Sequence, residues 1–243
     1  MKLSTYHQQS RDTWHSLVLV MPLFVLYQIG VMWTGGVRNG VDFITDMLWW
    51  AVGGELTYYL GVHVGVLLLM VVAAVMLRNK ERLRLRVWPA VVAESAVYAF
   101  FFGAAIVAIM DALGLSALLS VGLSVGQEAS VLDNLVLSAG AGLYEELVFR
   151  LGLMGTMLMV GHRVLGWPRW WAALWAVVLS SLIFSAVHHM GPLGESFALG
   201  VFLFRAIAGV LLALIFYLRG FAVAVYTHAL YDVLVLVILA SGG

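Results

Sequence analysis

Runs of about twenty apolar residues recur along this chain, and no other feature constrains its fold as tightly. Near 15–34, 59–77, 88–110, 131–160, 170–190, 197–218 and 220–240 the sequence stays apolar long enough to cross a hydrocarbon layer of ~30 Å as a helix. Lipid offers the backbone no hydrogen-bond partners, so each run must satisfy its own amides, as a helix does. The expected fold is an all-α, polytopic transmembrane bundle of about seven spans, six to eight. Composition agrees: 63% of the residues are hydrophobic and 11% charged, against roughly 25% charged in soluble domains. No 20–50-residue period and no linker interrupts the chain, so residues 1–243 read as one integral membrane domain.

Thirteen Lys and Arg balance thirteen Asp and Glu, leaving no basic surplus for phosphate binding and hence no nucleic-acid partner. The absence of cysteine excludes disulfides, thiolate metal sites, palmitoylation and thiol nucleophiles. The first run, His15 to Gly35, is closed by no small-residue cleavage site, so it reads as a retained helix. Val41–Val52 is too short and too acidic to span but carries Trp49 and Trp50, as a helix lying on the membrane surface would. Residues 111–130, rich in Gly and Ser, read as a loop or a re-entrant segment. With seven alternating spans, Lys2, Arg11, Arg78, Lys80, Arg82, Arg84, Arg86, Arg163, Arg169 and Arg219 share one side, against Arg38 on the other. The positive-inside rule makes that side cytoplasmic, with the N-terminus inside a prokaryotic plasma membrane.

Arg150, Arg205, Glu145, Glu146 and Asp232 fall inside predicted spans, where an uncompensated charge costs about 2.5–3.5 kcal/mol. Each needs a partner or a polar cavity. Glu146 and Arg150 stand four apart and can pair on one helix face, whereas Glu145 lies about 100° around the helix and is left over. A carboxylate without a cation in a dry setting is one that can take a proton near neutral pH, as a general base must. The fifth span ends in Phe184-Ser-Ala-Val-His188-His189, and the seventh holds His228 and Asp232, again four apart and able to share one cavity. His189 reads as a helix-to-helix hydrogen bond. At about 1.5 Å per residue, Glu145 and His188 come out in the outer half of the bilayer and His228 about 13 Å from its inner edge. The expected meeting point is near mid-membrane, reached by a tilted or late-starting seventh helix.

Glu-Glu-x-x-x-Arg (Glu145, Glu146, Arg150), Phe-x-x-x-His (Phe184, His188) and His-x-x-x-Asp (His228, Asp232), in this order on three late spans, resemble the CPBP intramembrane proteases. That family includes type II CAAX prenyl endopeptidases, bacteriocin self-immunity proteins and myxosortases. The resemblance covers about residues 131–240, which it marks as the catalytic core. It implies an endopeptidase that cuts near the C-terminus of a membrane-anchored protein or peptide within the bilayer. Glu145, helped by His188, would activate a water, and His228 with residue 232 would face the oxyanion. Glu146, Arg150 and Phe184 would support them. Residue 232 is Asp where the prenyl endopeptidases have Asn. An ionised Asp would repel an oxyanion, so it would instead orient His228, stay protonated, or join Glu145, His188 and His228 on a divalent metal such as zinc. No His-Glu-x-x-His is present, and the expectation leans to a metal-free site with no committed cofactor.

Other readings compete. Gly122-Leu-Ser124-Val-Gly126 fits a serine-hydrolase pattern, but in a chain of 25 glycines and without a strand-turn-helix setting it reads as loop. An aspartyl intramembrane protease needs a second mid-span Asp beside Asp232. An ion- or proton-coupled transporter would use the same charges, yet no inverted repeat supports one. An immunity-type scaffold that does not cleave is the third alternative.

Overall fold

A computed structural model describes residues 3–33, 51, 53, 55–76, 86–121, 130–190 and 194–239. Among the described residues eight helices follow one another: α1 (Leu3–Arg11), α2 (Thr13–Trp33), α3 (Leu56–Met76), α4 (Val87–Ala112), α5 (Val131–Val164), α6 (Arg169–Val187), α7 (Leu199–Arg219) and α8 (Phe221–Leu239). Among the described residues there is no strand. Six helices, α2 and α4 to α8, are long and apolar enough to cross a membrane, and the remaining expected span is α3, whose apolar stretch is Gly61–Met76. This is an integral membrane helical bundle. Val41–Val52, except Ala51, lies outside the described residues, as do Gly122–Gly126, Lys2, Arg38, Arg78, Lys80, Arg82 and Arg84. Of the expected loop 111–130, Asp111 and Ala112 finish α4 and Ser116–Val121 form a 3-10 turn.

Helix α8 is the axis of the bundle. Every residue from Phe221 to Ala229 is buried, because α4, α5, α7 and α2 all pack on it. Its alanines allow that. Gly142 of α5 faces Ala229 so closely that a Cβ there would stand 2.6 Å from the Ala229 backbone nitrogen, the small-residue approach that replaces hydrophobic driving force in lipid. On α4 the buried positions are Val87, Val91, Ser95, Ala99, Phe102, Ile106 and Met110, steps of three or four that form one helical stripe. The opposite face shows Val97, Phe100, Phe101 and Val107, apolar because lipid is its solvent. Cross-links anchor α8: Ser95 Oγ donates to the Val223 carbonyl at 3.1 Å, and Trp88 Nε1 donates at 2.8 Å to Tyr226, whose hydroxyl donates to the Leu19 carbonyl at 2.9 Å.

Helix α5 departs from expectation in length and winding. It runs 34 residues, roughly 50 Å at the ordinary rise against a hydrocarbon core of ~30 Å, so depths counted from its end misplace Glu145. It begins with a capping box in which Ser130 and Asp133 exchange hydrogen bonds. At Glu146 it loosens into a π-helical stretch through Met154, a winding found most often at functional sites.

Candidate active site

The three helices that carry the charged motifs converge. Glu145 and Glu146 stand where α5 changes winding, and the Gly142 approach brings them against α8. His228 Nδ1 lies 2.9 Å from Glu146 Oε1, while its Nε2 faces Glu145 Oε2 at 3.8 Å and Asp232 Oδ2 at 3.6 Å. His188 is the C-cap of α6: its Nδ1 donates to the Phe184 carbonyl at 2.7 Å, one of the last-turn carbonyls that helix geometry leaves open. That bond turns Nε2 towards Glu145 Oε1, 3.5 Å away. Glu145, Glu146, Arg150, His188 and His228 are all buried. Glu145 Oε1 and Asp232 Oδ2 have no hydrogen-bond partner among the described residues.

Arg150 Nε pairs with Glu146 Oε2 at 3.1 Å, and its Nη2 donates to the Gly209 carbonyl of α7 at 3.4 Å. Its guanidinium lies 4.5 Å above the Phe184 ring, which itself packs on His188 and His228. Phe184 thus packs on the arginine and on both imidazoles, and its contact with Arg150 is a buried cation-π contact. The expected leftover character of Glu145 needs correction, because two imidazoles from two other helices stand beside it. The structure also ties Glu146 to His228 as well as to Arg150. Among the described residues, no group of three or more His, Asp or Glu is placed to hold a metal ion.

Two ion pairs near the helix ends escape a motif search. Arg205 forms a two-pronged pair with Glu195, both Nη–Oε distances 2.6 Å, and the Glu195 amide donates to the His188 carbonyl at 2.9 Å. Arg205's bond and charge hold the Glu195 carboxyl below the usual glutamate range. At the opposite end of α7, Glu94 receives Arg219 Nε at 2.5 Å and Nη2 at 2.8 Å, Tyr98 at 2.9 Å and the Tyr6 hydroxyl of α1. Burial beside Glu94 raises the Tyr6 hydroxyl well above its ordinary value, so it stays a donor. Glu94 lies within the predicted third span and Asp133 within the fourth, so the set of charges inside predicted spans is larger than the five named from the sequence. The same positional criterion finds both. The expected helix-to-helix hydrogen bond of His189 is not found among the described residues: its Nδ1 donates to the Glu195 carbonyl at 3.3 Å, on the segment after α6, and its ring packs on Phe197 and Phe202.

Residues 127–234 match the family model described as type II CAAX prenyl endopeptidase, Rce1-like. The match takes in α5, α6, α7 and most of α8, which hold every residue of the converging motifs. No curated protein and no solved structure matches the chain.

Proposed function

With residues 127–234 matching the Rce1-like type II CAAX prenyl endopeptidase model, we propose that the protein hydrolyses a peptide bond near the C-terminus of a membrane-anchored protein, using water activated by Glu145. The family supports a CAAX-type intramembrane endopeptidase in general. The finer reading is carried by one observation: a buried carboxylate without a hydrogen bond at Oε1 faces Nε2 of two imidazoles held by separate partners. In the proposed step a water between Glu145 and His188 gives a proton to Glu145, and its oxygen attacks the scissile carbonyl carbon. His228, as imidazolium, donates from Nε2 to the developing oxyanion. Collapse breaks the C–N bond as the proton passes from Glu145 to the leaving nitrogen, and the products are a carboxylic acid and an amine, whose proton exchange gives carboxylate and ammonium.

Asp232 had three roles open. Its position beside His228 Nε2 supports orientation of that ring. Glu146 serves the same ring from the other side, so the Glu146–Arg150 pair positions His228 as well as neutralising itself. The Lys and Arg distribution supports a cytoplasmic N-terminus in a prokaryotic plasma membrane.

The test expresses wild type and Glu145→Gln in the native host and maps protein C-termini in membrane and secreted fractions by mass spectrometry. Uncut tails found only in the mutant would identify the substrates and the cut site. Identical maps would overturn proteolysis, and a mutant defect in ion-driven vesicle transport would then favour a transporter. The absence of any phenotype would favour a scaffold.

A further inference from the structure

Two arginines, Arg150 and Arg205, lie within the predicted spans around the site, and they are held differently. Arg150 is fully enclosed by Glu146, Phe184 and Gly209. Arg205, six residues into α7, keeps 21% of its side chain exposed, and its partner Glu195, on the segment after α6, keeps 46%. A pair this open contributes little to stability, which does not account for an arginine in a predicted span. Its surroundings belong to the site. The Glu195 amide is bonded to the His188 carbonyl at 2.9 Å, and Ser185 Oγ ties α6 to the Phe202 carbonyl of α7 at 2.7 Å. His189, Phe197 and Phe202 form an apolar cluster alongside.

The guanidinium is therefore already set in carboxylate-binding geometry at the edge of the candidate active site. Two of its five N–H groups are spent on Glu195, and Nε–H with one hydrogen on each terminal nitrogen has no partner among the described residues. A second carboxylate can be accepted there, beside Glu195 or in its place. We propose that Arg205 is a specificity-determining residue that binds the free C-terminal carboxylate of the peptide being cut or released. An enzyme that cuts near a C-terminus presents that group a short distance beyond the scissile bond. The identity of the ligand rests on the proteolytic reading.

The probe is an apolar tripeptide, Ala-Ile-Leu, as the free acid and as the C-terminal amide, titrated against the full-length protein in detergent by calorimetry. The wild type is expected to bind the acid roughly tenfold or more tightly than the amide, the value of one charge-assisted bidentate contact. Arg205→Gln should erase the difference, and Arg205→Lys should keep part of it. Glu195→Gln should strengthen binding of the acid, because it removes the competing carboxylate. A merely structural pair would make Glu195→Gln and Arg205→Gln weaken binding alike. That result, equal binding of acid and amide by wild type, or no binding of either at millimolar concentration, would overturn the assignment. Binding needs no catalysis, so discrimination that persists in a protein with unchanged C-terminal maps would overturn proteolysis alone.

Discussion

Glu94 and Glu145 are both carboxylates inside membrane helices, and the bundle treats them in opposite ways. Glu94 keeps 18% of its side chain exposed, yet both of its oxygens are filled twice, by Arg219, Tyr6 and Tyr98. Glu145 is 1% exposed, and its nearest polar neighbours stand at 3.5 and 3.8 Å, beyond good hydrogen bonds. The more deeply buried group is the less satisfied one. Burial alone penalises that arrangement by roughly 1–3 kcal/mol, so the fold retains it against its own stability. Saturation marks a carboxylate that ties helices together, and a carboxylate left short marks one that needs a molecule from outside.

The largest test of that contrast is chemical. Glu145→Gln keeps the shape and removes the base, so cleavage is expected to fall by roughly two to four orders of magnitude with a melting temperature equal to or above that of the wild type. His188→Ala and His228→Ala should abolish cleavage in bundles that still fold. Wild-type activity in any of the three, assayed on a substrate from the C-terminal maps, would move the site elsewhere.

Next in size is the pair that supports the site. Arg150→Ala leaves Glu146 charged and enclosed, and such a break costs about 3–5 kcal/mol, enough to lower the yield of folded protein. Glu146→Ala removes the mate of Arg150 and the bond to His228 Nδ1 together. The folded fraction that survives Glu146→Ala should therefore also turn over more slowly. A survivor with full turnover would reduce Glu146 to a structural partner.

The parts that were legible in the sequence are those written in periodicity. Apolar runs give the spans, and spacings of four give Glu146 with Arg150 and His228 with Asp232. Contacts between helices leave no such period. Nothing in the spacing ties Glu146 to His228, because that bond depends on Gly142 letting α5 reach Ala229. Glu195 is one of several acids in a loop until its amide is seen on His188 and its carboxylate on Arg205. The nine-residue helix α1, polar and short, carries no span signal, and its contacts with Glu94, Ala90 and Arg219 show what holds it. The winding of α5 was hidden too, since its π-helical stretch has no simple sequence period.

The close approach and the saturated carboxylate come next. Gly142→Ala drives a methyl group into Ala229, and the strain, about 1–3 kcal/mol for an overpacked core, separates α5 from α8. Both melting temperature and cleavage should drop, because the Glu145–His228 spacing opens. Glu94→Gln acts on the other side of the comparison: it weakens the charge-assisted bonds to Arg219 at a cost of about 1–2 kcal/mol, while kcat of the folded enzyme stays at the wild-type value. A fall in kcat without loss of stability would show that Glu94 is more than a tie.

The smallest effect belongs to Glu195, which is part tie and part neighbour of the site. Arg205's hydrogen bond holds its carboxyl below the ordinary range, so the folded state takes up that proton less readily than the unfolded chain. The resulting stabilisation is complete above the ordinary glutamate value, about 4.3, and is lost as the pH falls through the lower folded-state value. Because the pair is open to solvent, its size is at most about 1 kcal/mol. Thermal melts of wild type and Glu195→Gln should therefore differ slightly at pH 7 and converge below pH ~4. A gap that stays constant through the acid range would mean that the stabilisation comes from packing of the segment after α6 rather than from its charge. Glu195 would then drop out of the comparison between the filled and the unfilled carboxylate.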